Sequence, residues 1–172
     1  YEDPLILVTD EKIETVDEMM PVLELISREA RPAIIVADNI EGQALAALVM
    51  NAMRGTLRIA AVKAPRYGEE RRNTLKDLAL SVGATFVTRS DNLRLKDTKL
   101  TDFGTAKIFE CSKNETTISG GRGKLEDVEK RIEALKIELE QTEDMYECEK
   151  IQERITRLAS GVAIIRVGAA TE

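Results

Sequence analysis

Residues 33–62 read AIIVADNIEGQALAALVMNAMRGTLRIAAV, and the order of apolar and polar positions in this stretch decides the fold. Ala33 to Ala37 is short, apolar and rich in β-branched side chains, the composition of a strand covered on both faces. Residues 41–54 have helical length, with apolar residues recurring at intervals of three and four, and Gly55 stands where a C-terminal cap belongs. Leu57 to Val62 is again strand-like. Strand, helix and strand so closely spaced predict a βαβ unit with parallel strands and a right-handed crossover.

The same alternation continues outward on both sides. Leu5 to Val8 and Ala84 to Val87 have strand length, and segments of helical length separate all four runs. Thr15 with Glu18 three residues later has capping-box spacing, Gly83 occupies a second C-cap position, and Pro21 blurs the first turn of its helix. The expected architecture is therefore α/β, a mostly parallel sheet flanked by helices. Beyond it, Lys107 to Cys111 and Thr116 to Ile118 are short candidate strands leading into Gly120, Gly121 and Gly123. Leu125, Val128, Ile132, Leu135 and Leu139, then Met145, Cys148, Ile151, Ile155 and Leu158, share one helical seam broken near Thr142, which predicts a C-terminal antiparallel helical hairpin. Val162 to Val167 reads as a last strand, set off by Ser160 and Gly161 as a hinge or domain boundary.

Composition narrows the function. The 172 residues are 43% hydrophobic and 33% charged, with no apolar run long enough to span a bilayer. The net charge of −6 disfavours nucleic acid as a partner. Histidine is absent, which removes the Ser-His and Cys-His nucleophile systems and the commonest metal ligand. Cys111 and Cys148 are too far apart for a zinc knuckle and read as reduced thiols of a cytosol-like compartment. The chain opens at Tyr1 without methionine, signal or transit segment, which suggests a piece of a longer protein.

The candidate catalytic motifs fail on spacing. Ser119 to Lys124 is glycine-rich, but Ile118 and Leu125 stand where a phosphate loop needs Gly and Ser or Thr, so a flexible turn before a helix is expected. The basic stretch Lys63 to Gly68 with Arg71 and Arg72 is interrupted by Glu69 and Glu70 and reads as a solvated loop. Pairs such as Glu126 with Glu129 belong to helical charge runs.

Apolar surface is the unusual feature. At about 100° per residue, Val16, Met19, Met20, Val22, Leu23, Leu25 and Ile26 cover more than half of the first helix. On the second, Ala44, Leu48 and Ala52 form an inward stripe, and Leu45, Val49 and Met53, flanked by Met50, form another beside it. Such a helix is either buried on both sides or offers one side to a partner. Four of the five methionines, Met19, Met20, Met50 and Met53, lie in these helices, and Met suits a surface that accepts varied apolar shapes. That points to a groove for diverse peptides.

The run Asn39 to Gly55, the segment Ala60 to Pro65, Gln152 to Arg154 and Gly161 to Glu172 together resemble the apical domain of group I chaperonins, the GroEL family. Order and spacing agree along essentially the whole chain, which covers only part of a full chaperonin. Arg66, Tyr67, Ser160, Met20 and Met50 depart from the residues usual in the family. The resemblance implies an N-terminally truncated apical domain over 1–160, with the hinge and start of the intermediate domain over 161–172. It implies that non-native polypeptide and the co-chaperonin mobile loop bind through Met20, Leu23, Leu45, Val49, Met50 and Asn51. It further implies a hinge at Ser160 and Gly161, an intersubunit ion pair from Glu172, and a ring homo-oligomer in the parent, with the fragment itself monomeric. The family's ATP and Mg belong to segments absent here, so no catalytic, cofactor or metal site and no enzymatic activity is expected in this fragment. A bacterial-type cytoplasm or an organellar matrix or stroma would house it. Two other readings stand beside this one: a doubly wound nucleotide-binding or phosphoryl-transfer domain, suggested by the βα alternation alone, and a hairpin that drives homo-oligomerisation.

Overall fold

The computed structural model describes residues 2–55, 58–64, 68–111 and 116–165. Its elements are β1 (Leu5–Thr9), β2 (Lys12–Ile13), α1 (Val16–Glu29), β3 (Ala33–Ala37), β4 (Asn39–Ile40), α2 (Gly42–Met53), β5 (Ile59–Lys63), α3 (Gly68–Val82), β6 (Phe86–Val87), β7 (Gly104–Cys111), β8 (Thr116–Gly121), α4 (Leu125–Gln141), α5 (Met145–Ser160) and β9 (Val162–Ile165). Among the described residues the chain is α/β, with five α-helices around a seven-stranded sheet in the order β5-β3-β1-β7-β8-β9 and β6 pairing off the path with β1.

The sheet is mixed rather than mostly parallel. β1, β3, β5 and β6 pair in parallel, as the βα alternation predicts. The pairings β1 with β7, β7 with β8 and β8 with β9 are antiparallel. The physical reason lies in the connections: β7 follows β6 without a crossover helix, and a helical hairpin that leaves and returns on the same side delivers β9 beside β8. β1 divides one edge between two partners. Leu5 and Ile6 face β7, while Val8 and Thr9 face β6.

Both faces of the parallel part are covered, which is why its strands are apolar throughout. Leu5, Leu7, Ala33, Ile35 and Ala37 pack with Met19, Val22, Leu23 and Ile26 of α1 and with Ala44 and Leu48 of α2. The alternate residues Ile6, Val8, Ile34 and Val36 pack with Leu75, Leu78, Ala79 and Val82 of α3. The two strand pairs β1/β3 and β3/β5 run parallel, so α1 and α2 both return antiparallel to the strands and lie parallel to each other on one face.

The hairpin has its own small core of Leu135, Ile151, Ile155 and Leu158, edged by Val128, Ile132 and Leu139, while the seam's outermost predicted members, Leu125 and Met145 at the first positions of their helices, are exposed. Asp77 of α3 anchors it. Its carboxylate accepts hydrogen bonds from Arg131 of α4 at 2.9 Å and from Arg154 of α5 at 2.6 and 3.0 Å. Among the described residues no helix is long and apolar enough to cross a membrane.

Candidate functional site

The α1/α2 face is built by what holds each helix down. α1 starts at Val16, directly after Thr15, as the capping-box spacing predicts, but the Thr15 side chain makes no capping bond. Pro21 is tolerated inside the helix at the loss of one backbone donor. Met19, Val22, Leu23 and Ile26 fix α1 to the sheet, leaving Met20 on the outer side at 44% exposure. Leu23, one of the predicted binding residues, is only 6% exposed and belongs chiefly to the core.

On α2 only Ala44 and Leu48 are buried. The rest of the expected inward stripe is not realised, because Ala52 is exposed near the helix end. The second stripe is open to solvent: Leu45 is 39% exposed, Val49 43%, Met50 51% and Met53 82%. Of the two alternatives left by the sequence, burial on both sides and one side free, the described residues take the second. Asn51 is half-buried, and its side-chain amide donates to the Ala47 carbonyl at 2.8 Å, so one of its donors is already held by its own helix. Met53 is the most exposed of these side chains; its helical spacing and its place among the clustered methionines mark it in the sequence, although the resemblance does not imply it as a binding residue.

The entrance to both helices is fastened by a second, two-stranded parallel sheet of β2 and β4, which pairs Lys12 with Asn39 and Ile13 with Ile40. The Lys12 ammonium sits 3.1 Å from Glu14 and 2.7 Å from Glu41. That ammonium, by hydrogen bonding to Glu41, holds the Glu41 carboxyl below the ordinary glutamate range, and the two carboxylates raise Lys12 above the ordinary lysine range.

Elsewhere the described residues explain the motifs as packing. The Gly120–Gly123 stretch is the end of β8 and its exit rather than a flexible turn, for a Cβ at Gly121 or Gly123 would collide with the carbonyl oxygens of Ser81 or Leu80. Gly123 also donates its N–H to Ser81 at 2.9 Å. Arg71 pairs with Asp38, and Arg72 lies 4.0 Å from Asp10. Crossovers switch faces between β1 and β6, the position at which open α/β sheets bind ligands. There the Thr9 hydroxyl donates to the Val87 carbonyl at 2.7 Å and, just past the strand ends, the Thr88 hydroxyl donates to Asp10 at 2.9 Å.

Ser160 is the last residue of α5, and Gly161 caps the helix with φ at 69°, a conformation glycine adopts without strain. The strand β9 follows at once and pairs antiparallel with β8. Arg66, Tyr67 and Glu172 lie outside the described residues. No protein-family model matches the chain.

Proposed function

We propose that this chain is an apical-domain fragment of a group I chaperonin, which captures apolar segments of non-native polypeptide, and the mobile loop of a co-chaperonin, on the face formed by α1 and α2. The observation that carries the reading is the open stripe of α2. Leu45, Val49, Met50 and Met53 stay in water while Ala44 and Leu48 alone hold the helix to the core. An apolar stripe left uncovered on a helix already anchored has no role in folding this chain, and it is costly in solubility. Covering it with a ligand's side chains returns about 25 cal/mol per Å². The flexible methionines at Met20, Met50 and Met53 let one surface fit many sequences. Function is then differential binding without covalent chemistry. In the parent chain, ATP-driven conformational change and co-chaperonin competition would release the captured segment.

The test is a pair of variants, Leu45→Glu and Val49→Glu. Both side chains face solvent, so the thermal melt should move by less than about 2 °C, while anisotropy of a fluorescent apolar peptide should show binding lost. A melt lowered by many degrees, or binding untouched in both variants, would remove the groove. The nucleotide-binding alternative predicts a saturable heat when Mg-ATP is titrated into the chain, and the chaperonin reading predicts none.

A further inference from the structure

We infer that the α1/α2 groove is electrically polar along its length and takes apolar segments with cationic side chains at one end and carboxylates at the other, seating the cationic end over the N-terminal ends of both helices. The inference rests on the peptide-binding reading of the same face and adds to it the chemistry and direction of the ligand.

The polarity follows from topology and charge placement together. Because α1 and α2 are parallel, their N-termini share one end of the groove and their C-termini the other. At the N-terminal end lie Glu14, Asp17, Glu18 and Glu41, with Lys12 as the cation between Glu14 and Glu41. At the C-terminal end lie Arg28, Arg54 and Arg58, opposed there by Glu29, and Arg31, whose guanidinium donates to the Asp3 carbonyl at 2.7 and 3.2 Å. Between the ends α2 carries no charged side chain from Gly42 to Met53. Met20 falls three residues after Asp17 and four before Glu24, so the exposed apolar anchor of α1 has a carboxylate one turn away on either side.

First-turn acids and last-turn bases also complement a helix macrodipole, and Asp17, Glu18 and Arg28 fit that role. The dipole supplies only about half a charge of opposite sign at each end, so it trims the polarity without cancelling it. Glu41 is itself the N-cap of α2, and Glu14 and Arg31 flank the caps of α1, so the dipole accounts for their signs as well, while Arg58 stands clear of both helices. The exposed charges act through water, so the bias should be about threefold to tenfold at low salt and fade as the Debye length shrinks.

The experiment uses an apolar peptide with a Lys pair at one end and a Glu pair at the other, a nitroxide at either end, and the isotope-labelled chain in low salt. The nitroxide at the Lys end should broaden the amides of residues 14–20 and 41–45 at least threefold more than those of residues 28–31 and 52–55. The nitroxide at the Glu end should reverse the pattern, and raising the salt should level it. Asp17→Lys combined with Glu18→Lys should weaken the preference while leaving an uncharged Gln-flanked peptide bound as before. Equal broadening at both ends from either nitroxide, with the peptide bound, would overturn the polarity and leave the groove standing. Failure of the Gln-flanked peptide to bind would overturn the groove itself.

Discussion

Ala30 shows what a single residue can cost. It ends α1 in the left-handed region, φ 53° and ψ 32°, where a Cβ crowds the following carbonyl by about 1 kcal/mol and glycine does not. Ala30 is exposed, so Ala30→Gly removes no packing. The substitution loosens the unfolded chain and relieves strain in the folded one, and the second effect is the larger, giving a net gain of about 0.5 kcal/mol and a melt raised by about 1–2 °C. A lowered melt would mean that the α1 exit is not strained. Lys12 and Glu41 offer a second test. The depressed Glu41 contributes stability that is present above the ordinary glutamate range and lost as pH falls through its lowered value. The raised Lys12 contributes below the ordinary lysine range and is lost as pH rises through its raised value. Followed by carboxyl carbon shifts, Glu41 should titrate below the ordinary range and return to it in Lys12→Met. No change in that variant would assign the depression to the side-chain hydrogen bonds from Glu14 and Asn39 instead.

At the level of elements, the hairpin depends on a contact that no local pattern announces. Its seam was legible because apolar residues recur at helical spacing, and α1, α2, β1 and β3 were legible for similar reasons of periodicity and β-branching. The clasp was not, because Asp77 lies 54 residues from Arg131 and 77 from Arg154. The two-residue strands β2 and β4 and the 3-10 turns at Arg89–Asp91, Leu95–Asp97 and Leu100–Asp102 were equally hidden, since pieces that short have no period. The Asp77 side chain is 12% exposed, Arg154 19% and Arg131 32%, so water screens the pair only in part. Asp77→Asn keeps the shape, removes the charge and leaves two arginines facing an amide that can donate toward them. The expected loss is about 2–3 kcal/mol, discounted for the partial exposure of the arginines, and a melt lowered by roughly 5–10 °C. A shift under about 2 °C would show that the apolar contacts of α3 with the hairpin hold it without the clasp.

On the scale of the whole molecule, the parallel part of the sheet is covered on one face by α1 and α2 and on the other by α3, and of these two covers the first carries an open apolar stripe. That stripe was readable from the spacing of Leu45, Val49 and Met53, because a helix bound by small Ala44 and by Leu48 must present its larger residues elsewhere. The burial of Leu23 was not readable, for its position lies at the border of the inner arc and its fate is set by how α1 rests on β1 and β3. On the proposed reading substrate segment and co-chaperonin loop would both use this one face. A flexible peptide must also be ordered on it, which costs enough that a single groove should bind at about micromolar affinity or weaker. A ring that presents many such grooves to one unfolded chain makes each later contact intramolecular, and avidity then exceeds the single-site value by roughly 10²-fold or more. On the apical-domain reading proposed above, the chain should sediment as a monomer and show only the weak value. In an anisotropy competition on the same sample, a co-chaperonin loop peptide and an apolar substrate peptide should each displace the other completely, since both need Met20, Leu45, Val49 and Met50. Simultaneous binding of the two would separate their sites and end the shared-groove mechanism, and nanomolar binding by a sedimenting monomer would show that capture does not depend on multiplication by a ring.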